Sequence, residues 1–287
     1  MRIGILGDAI VDVDIHAQPR DNYEGASQCF TAAKRNVYPG GAANVAWLLV
    51  DMGVDVTLFA AVGRGHWADE LWASAFSAGT LMPFQVTTNV CQRTYVNGGL
   101  KHRVDIDASG KEGQWIERYP YGQCLRGIPG DSAEMFDSFV FADYAKGIFG
   151  ENSGCEEVVR RIIASGLPTV VDPHEFGRSG LWAGATVATP NIREHEALGF
   201  LGTQWTTVTR GNIGVGLYEG DEAREFYRVP EGQSPANPQV VGAGDAFTAM
   251  MAKALAEGVG IPEATEKAML FATRYVSRER GAPIPSA

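Results

Sequence analysis

The sequence is poor in cysteine and in positive charge, and it has no long apolar run. Its four cysteines, Cys29, Cys91, Cys124 and Cys155, are far apart and form no C-x-x-C pair, so neither a disulfide framework nor a zinc site is expected. The 24 Lys and Arg residues oppose 34 Asp and Glu residues, which gives a net charge of −10 and excludes a broad basic surface for nucleic acid or anionic membranes. Asp8 interrupts the first apolar run, and no uncharged apolar stretch of about 18 residues follows. We therefore expect a cytoplasmic protein that binds neither nucleic acid nor membrane.

Two common phosphate-binding motifs are also missing. A P-loop needs the sequence G-x-x-x-x-G-K-[ST], but the Gly110-Lys111 pair is followed by Glu112. A dinucleotide-binding turn needs three glycines directly after the first strand, and the segment that begins at Gly7 lacks the second and the third. A P-loop kinase and a standard Rossmann dehydrogenase therefore both lose support.

Hydrophobic periodicity predicts an α/β chain in which strands and helices alternate. Glycine, although abundant at 35 residues, is spread between periodic segments rather than gathered in a linker, so residues 1–287 are expected to form a single domain. The Asn97-Gly98 pair predicts a hairpin within 85–107, and the alternation from Val11 to Ile15 predicts a half-exposed strand. Strands are predicted at 3–6, 54–62, 138–142, 169–171 and 186–188, and helices at 42–52, 154–165, 244–257 and 262–278.

A small β lid is expected to cover part of this α/β chain. It would comprise segments of about 10–38 and 84–122, which include the half-exposed strand and the hairpin. Such a lid is a means of covering a bound substrate. It is also a candidate surface for a homodimer.

The segment Gly242-Ala243-Gly244-Asp245 carries the clearest chemistry. Its first three residues have little or no side chain and lead directly into a predicted helix, so their backbone N–H groups can approach an anion at the positive end of the helix dipole. A carboxylate beside an anion site is repelled by the anion, unless it serves to take a proton from an attacking hydroxyl. Asp245 is therefore a candidate general base, with an acidic helix cap as the structural alternative.

A second glycine pair, Gly40-Gly41, also opens a predicted helix. Close backbone approach, together with the amide of Asn44, suits hydrogen bonding to a polyol. A tight loop followed by a first-turn asparagine is the structural alternative.

Together with two further motifs, these segments resemble the ribokinase-like (PfkB) family of carbohydrate kinases. The further motifs are Asn191-Ile192-Arg193-Glu194, which matches the family's N-x-x-E, and Val208-Thr209-Arg210-Gly211 followed by Gly214. Within the family, the chain is most similar to the kinase half of the heptose-7-phosphate kinase/heptose-1-phosphate adenylyltransferase enzymes. That likeness is carried by Asp8, Asp12, Val171-Asp172-Pro173, the Phe141–Gly147 segment and His102–Asp105.

The resemblance implies a three-layer α/β sandwich with a mostly parallel central sheet and a β-strand lid, and ATP-dependent phosphorylation of a sugar or sugar phosphate. It implies Asp245 as the catalytic base and Gly242, Ala243 and Gly244 as the anion hole. For the acceptor it implies Asp8, Asp12, Gly40, Gly41, Asn44 and Asp143, with Lys146 and Arg103 as candidates for binding a phosphate. For ATP it implies Asn191, Glu194, Thr209, Arg210, Gly211 and Gly214, with Glu194 holding Mg²⁺ through water.

Several readings remain open at this stage. Many family members have an Asp-x-Thr sequence before the anion hole that helps bind a monovalent cation, but this chain has Gln239-Val240-Val241, so potassium activation is doubtful. A ribokinase- or fructokinase-like enzyme acting on a neutral sugar and a nucleoside kinase are alternatives within the class. A non-catalytic protein that binds sugar or nucleotide is the alternative outside it.

Overall fold

The fold was analysed in a computed structural model. It describes residues 1–21, 29–60, 62, 69, 88–106, 128, 132–151, 153–233, 235 and 238–278. The strands are β1 (Arg2–Gly7), β2 (Ala9–Arg20), β3 (Cys29–Gly41), β4 (Asp55–Phe59), β5 (Asn89–Val96), β6 (Gly99–Ile106), β7 (Ser138–Ala142), β8 (Thr169–Asp172), β9 (Val187–Ala188), β10 (Trp205–Thr209), β11 (Gly214–Glu219) and β12 (Glu222–Arg228). The helices are α1 (Ala42–Asp51), α2 (Ser132–Met135), α3 (Cys155–Ala164), α4 (Ile192–Leu198), α5 (Ala243–Ala256) and α6 (Ile261–Val276).

Eight strands form the central sheet, in the order β12-β11-β10-β9-β8-β7-β1-β4. The pairs from β4 to β10 are parallel, and only β11 and β12 run antiparallel to their neighbours. The predicted α/β class with a mostly parallel sheet is thereby confirmed. The antiparallel β11–β12 edge was not predicted.

Apolar clusters cover both faces of this sheet. On β1, Ile3 and Ile5 belong to the cluster that contains α1, α5 and α6, whereas Leu6 belongs to the cluster that contains α3 and Trp182. Alternate side chains of a strand point to opposite faces, so a strand buried on both sides is apolar throughout. Helices therefore lie on both faces of the sheet, and the structure has the three layers that were expected.

The lid is a separate four-stranded sheet in the order β3-β2-β5-β6. The predicted hairpin joins β5 to β6, with Asn97 and Gly98 both at positive φ, 51° and 77°. The long strand β3, which runs into α1 through Gly41, was not predicted as a strand. Residues 22–28, 84–87 and 107–122 of the predicted lid segments lie outside the described residues.

Two predictions from the sequence, one on the length of a strand and one on the exposure of another, are wrong. The strand expected at 54–62 covers only Asp55–Phe59. The first half of β2 is buried rather than half-exposed, because Asp12 and Asp14 are only 5% and 3% exposed. Their burial is explained by a buried arginine on the neighbouring strand, described below. The other predicted helices and strands begin and end within two residues of their predicted bounds.

Within the described part of the chain, no helix is both long and apolar enough to cross a membrane. Cys29, Cys91 and Cys155 are free thiols, and Cys124 lies outside the described residues.

Candidate active site

Polar residues from several elements meet where the parallel strands end. Asp8 follows β1, the segment 143–148 follows β7, and Asp172 is the last residue of β8. Ligands of open parallel sheets bind at the carboxyl ends of the strands. The first turn of α5 brings Asp245 to the same place, and α1 brings Asn44.

Both carboxylate oxygens of Asp245 accept a hydrogen bond. The Asn44 amide donates to Oδ2 at 2.6 Å, and the Tyr144 hydroxyl donates to Oδ1 at 2.5 Å. Both donors are neutral, and between them they fix the orientation of the carboxylate. A carboxylate held in one orientation suits a general base.

The glycine turn before Asp245 is shaped for close approach. Gly242 has φ of 85°, and a Cβ on it would lie 2.4 Å from the Tyr275 hydroxyl and 2.7 Å from the Asn44 amide nitrogen. A Cβ on Gly244 would meet no atom within 4 Å, so the turn is open on that side. The Ala243 N–H donates to the Val240 carbonyl at 3.1 Å, whereas the N–H groups of the next residues belong to a first helical turn, which has no preceding carbonyls to bond. Of the predicted anion-hole residues, Gly244 has the most open position.

Asp8 holds the backbone of the 143–148 segment in place at the edge of the site. Its carboxylate accepts backbone N–H bonds from Tyr144 at 3.1 Å, Lys146 at 3.0 Å and Ile148 at 3.2 Å. Burial raises the pKa of Asp8, and these three N–H bonds oppose that effect. Direct contact of Asp8 with a substrate stays a prediction.

The segment held by Asp8 is backbone-strained. Ala145 has φ of 53°, a left-handed value that is unusual for alanine, and its N–H donates to Asp143 Oδ1 at 2.9 Å. Burial, together with the charge of Asp8, raises the pKa of Asp143 to about 7. Strain of this kind persists only where the surroundings enforce it, and it is concentrated at functional sites.

The lid presents buried charge to the site. Arg93 Nη1 lies 3.1 Å from Asp12 Oδ1 and 3.8 Å from Asp14 Oδ1, and all three side chains are nearly inaccessible. Gly40 gives room to this cluster, because a Cβ on it would lie 2.8 Å from the Asp12 carboxyl carbon. Carboxylate oxygens accept hydrogen bonds, which suits the hydroxyl groups of an acceptor.

The two cations expected to bind phosphate differ in their surroundings. Arg103 lies on the outer lid strand β6, with its side chain 55% exposed and its Nε 3.0 Å from Asp105 Oδ1. Lys146 is half-buried and near enough to Asp8 and Asp105 to interact with both electrostatically. Lys146 is therefore the more buried of the two cations, and Arg103 forms an ion pair with Asp105.

Asn191 and Glu194 form a capping box at the start of α4. The Asn191 side chain accepts from the Glu194 N–H at 3.1 Å, and Glu194 Oε2 accepts from the Asn191 N–H at 2.7 Å. Burial raises the pKa of Glu194, while burial and the charges of Glu194 and Asp245 raise that of Asp172. The charges of Glu194 and Asp245 thus make the ionisation of Asp172 less favourable, and the charge of Asp245 does the same for Glu194.

A cavity of about 190 Å³ adjoins the glycine turn before Asp245. Of the residues predicted to bind ATP, Thr209, Gly211 and Gly214 line this cavity and Arg210 does not; the Arg210 guanidinium lies 6.0 Å from the centre of the Phe226 ring. Apart from the predicted anion-hole residues Ala243 and Gly244, the remaining wall was not predicted, and it is mostly apolar, from β11, α5 and α6 and the segments beside them. Its residues are Asn212, Val215, Val229, Pro238, Val240, Ala243, Gly244, Phe247, Met269, Ala272, Thr273 and Val276.

Comparison with known proteins identifies the fold. A phosphofructokinase-2 from Escherichia coli, in complex with potassium, superposes with a TM-score of 0.75 over 99% of this chain and 95% of that one, at 17% identity. An Arabidopsis thaliana ribokinase, complexed with ribose and ATP, has a TM-score of 0.69 over 98% and 93%, also at 17% identity. The chain has the ribokinase fold. No family model matches it.

The sequence relatives of this ribokinase-fold chain are bifunctional HldE proteins. One from Paramagnetospirillum magneticum is 27% identical over 95% of this chain and 59% of its own length. One from Gluconobacter oxydans is 29% identical over 97% of this chain and 63% of its own length. The predicted resemblance to the heptose kinase/adenylyltransferase group is confirmed. The chain spans about three-fifths of the length of these relatives.

Three residues at the site of this ribokinase fold received no role from the sequence. Tyr144 and Asp172 bond to each other, and Tyr144 bonds to Asp245. Tyr275, on α6, donates to the Val241 carbonyl at 3.2 Å and so supports the anion-hole turn. Both Tyr144 and Asp172 lie inside motifs that carried the resemblance, which is the one signal that could have drawn attention to them, whereas Tyr275 lies in none.

Proposed function

We propose that the chain transfers a phosphoryl group from ATP to a hydroxyl of a sugar or sugar phosphate, with a heptose phosphate as the favoured acceptor. The observation that carries the proposal is the arrangement of Asp245, a carboxylate held at both oxygens by neutral donors, directly after an open glycine turn at a helix N-terminus. The kinases among the structural neighbours and the HldE relatives support this class of reaction.

ATP fits the apolar cavity beside the glycine turn. A nucleoside would occupy the space between the Gly211–Gly214 segment and α6, and the phosphates would extend toward Gly244, where a Cβ would meet no atom. First-turn N–H groups and the helix dipole would then hold phosphate oxygens.

Mg²⁺ fits the carboxyl groups nearby. The charges of Glu194 and Asp245 raise the pKa of Asp172, and the charge of Asp245 raises that of Glu194; a divalent cation relieves such repulsion. Among the described residues, no three carboxyl, imidazole or thiol groups converge as a direct metal site, so Glu194 would hold the ion through its waters, which Mg²⁺ releases reluctantly. When bound, the ion neutralises charge on the phosphates.

Asp245 performs the proton transfer in this mechanism. Its carboxylate accepts the proton of the acceptor hydroxyl as that oxygen attacks the γ-phosphorus, and the bond from the γ-phosphorus to the β–γ bridging oxygen breaks to release ADP. The N–H groups of the α5 first turn stabilise charge on the transferred group. The buried Asp12–Arg93 pair of the lid orients the acceptor's hydroxyl groups, and the lid excludes water that would otherwise compete as acceptor. The lid homodimer and the cytoplasmic location stay predictions.

The test begins with an acceptor screen that measures ATP consumption with heptose phosphates, other sugar phosphates, neutral sugars and nucleosides. With the best acceptor, Asp245→Asn is expected to lower kcat by about 10² to 10⁴, because an amide cannot take the proton. ATP binding, measured by calorimetry, should change little. Turnover of the variant within a few-fold of the parent would show that Asp245 is not the base, and a preference for nucleosides would overturn the proposed acceptor class.

A further inference from the structure

A positively charged side chain is held between α1 and α6, and the proposed mechanism does not use it. The guanidinium carbon of Arg278, two residues after α6, lies 4.3 Å from the centre of the Tyr275 ring and 5.7 Å from the centre of the Trp47 ring, on α1. All three guanidinium nitrogens are shielded from solvent. The attraction between a cation and an aromatic ring is stronger where water is excluded, and an arginine stays protonated in proteins. Arg278 is therefore a permanent charge fixed between two helices.

Tyr275 connects this charge to the glycine turn before Asp245. Tyr275 is 3% exposed, and its hydroxyl donates to the Val241 carbonyl at 3.2 Å. A Cβ on Gly242 would overlap with the same hydroxyl. Because Arg278 lies over the face of the ring and the turn contacts its hydroxyl, the position of the turn depends on where Arg278 holds the ring.

The backbone carbonyls of the turn all accept hydrogen bonds from the chain itself. Val240 accepts from the Ala243 N–H at 3.1 Å, and Gly242 accepts from the Ala246 N–H at 2.9 Å. Val241 accepts from the tyrosine hydroxyl just described. Backbone carbonyls bind potassium by taking the place of its water, and these three are directed at donors of the chain instead.

The residues that stand where many ribokinase-like kinases have Asp-x-Thr also fit potassium poorly. The Gln239 side-chain oxygen accepts from the Val241 N–H at 3.4 Å, and the Gln239 N–H donates to the Val276 carbonyl at 3.0 Å. Val241, in place of the threonine, has no hydroxyl group. Gln239 and Val241 therefore offer potassium neither a carboxylate nor a hydroxyl oxygen.

We propose that Arg278, acting through Tyr275, fixes the glycine turn in the place of a monovalent cation, so that phosphoryl transfer by this chain needs no potassium. The inference rests on the proposed function, in which the turn holds phosphate oxygens. Arg278 and Tyr275 are positioning residues in it, because both act through the backbone of the turn.

Potassium titration of the unaltered enzyme is the first test. With the acceptor found in the screen, kcat is measured in potassium chloride and in tetramethylammonium chloride at the same ionic strength, because the organic cation is too large to replace potassium. We expect equal kcat in the two salts, and equal affinity for ATP in calorimetry without acceptor. A saturable rise of kcat or of ATP affinity with potassium would overturn the inference.

Substitutions of Arg278 separate its charge from its packing. Arg278→Met keeps an unbranched chain over the ring but no charge, and it is expected to lower kcat by about 5- to 30-fold, the loss of a cation–π contact, with KM for the acceptor nearly unchanged. Arg278→Lys keeps a cation and should retain more of the parent's kcat. If Arg278→Met were as active as Arg278→Lys, the side chain would only fill space, and the inference would fail.

Tyr275→Phe removes the hydroxyl that bonds to the turn, and it is expected to lower kcat by about 2- to 12-fold, the loss of one hydrogen bond. Arg228→Met is the matched control and should equal the parent, since Arg228 lies 5.5 Å from the centre of the Phe226 ring on the exposed edge strand β12. Urea unfolding checks that each variant is folded, and where one is not, the potassium titration decides. A Tyr275→Phe enzyme with the kcat of the parent would contradict the inference. If the parent is active and potassium activates it, only this inference fails; if no acceptor of the screen is phosphorylated, the proposed function fails with it.

Discussion

Lys146 follows β7 of the central sheet and interacts electrostatically with Asp105 of the lid, so it is a candidate for binding an anionic acceptor. It is close to Asp8 and Asp105, on the core and the lid respectively. An ammonium between two carboxylates can still bind a phosphate dianion, since it has three donors. We therefore expect Lys146 to distinguish a sugar phosphate from a neutral sugar as the acceptor.

Replacing Lys146 tests that distinction. Lys146→Met is expected to raise KM for a sugar phosphate by roughly 10- to 100-fold, the loss of a charge-assisted contact worth about 1.5 to 3 kcal/mol, while KM for ATP changes little. Steady-state kinetics measure both constants. Lys101→Met, an exposed lysine of β6, is the matched control. Equal KM values for parent and Lys146→Met would instead favour a neutral sugar.

The glycine turn before α5 contains two glycines that the structure requires for different reasons. Gly242→Ala places a methyl group against the Tyr275 hydroxyl at a left-handed φ, so we expect a loss of about 1 to 3 kcal/mol in the free energy of unfolding. Gly244→Ala meets no atom and should leave that free energy equal or higher. Its methyl group would instead occupy the space proposed for phosphate.

We therefore expect Gly242→Ala to lose stability and Gly244→Ala to lose activity. Denaturant unfolding is expected to show a destabilised Gly242→Ala and a stable Gly244→Ala, and kinetics should show at least a tenfold rise in KM for ATP, or a similar fall in kcat, in Gly244→Ala. If Gly244→Ala has the same kcat and the same KM for ATP as the parent, the phosphates do not bind beside Gly244.

Local sequence patterns were sufficient to predict most helices and strands, but not which of them contact each other. Apolar runs such as Ile3–Leu6 and the Asn97-Gly98 turn have strong preferences of their own, and they form as expected. Burial of Asp12 depends on Arg93, which lies on a strand that is distant in sequence. No local pattern contains that pairing, so the buried face of β2 was misread.

The residues of the candidate site also fall into those that a local sequence pattern predicts and those that it does not. Asp245 and Asn44 could be selected because each follows a glycine pattern at a helix start. Tyr144, Asp172 and Tyr275 have their contacts only after β7, β8 and α6 have packed together. A side chain that acts through a hydrogen bond to another side chain leaves little trace in its own neighbourhood of the sequence.

At the scale of the whole molecule, buried carboxyl groups link stability to pH. Burial, with the charges of Asp8 and Glu194, raises the pKa of Asp143 from its ordinary 3.8 to about 7. Between these values the folded chain keeps a proton that the unfolded chain releases. The stabilising contribution of that proton is therefore complete below about pH 4 and is lost as the pH rises through about 7.

Asp143→Asn removes this linkage while its amide oxygen can still accept the Ala145 N–H. Relative to the parent, the variant is expected to gain stability between about pH 5 and about pH 8. Urea unfolding at both pH values measures the difference, with Asp221→Asn, in the exposed turn between β11 and β12, as control. A difference between variant and parent that is independent of pH would contradict the assigned proton.

The hydrogen bond between Asn44 and Asp245 joins residues that are 201 positions apart, and this separation has a consequence during synthesis. Ribosomes release a chain from its amino end at roughly 5 to 20 residues per second. β1 lies between β4 and β7 in the finished sheet, so for several seconds its second edge has no neighbour and can pair with other nascent chains. Asn44 and the lid strands β2 and β3 are synthesised early. Asp245, whose carboxylate accepts the hydrogen bond from Asn44, leaves the ribosome much later. Catalysis therefore cannot begin before synthesis has passed Asp245. The unpaired edge of β1 is where we expect the nascent chain to need a chaperone.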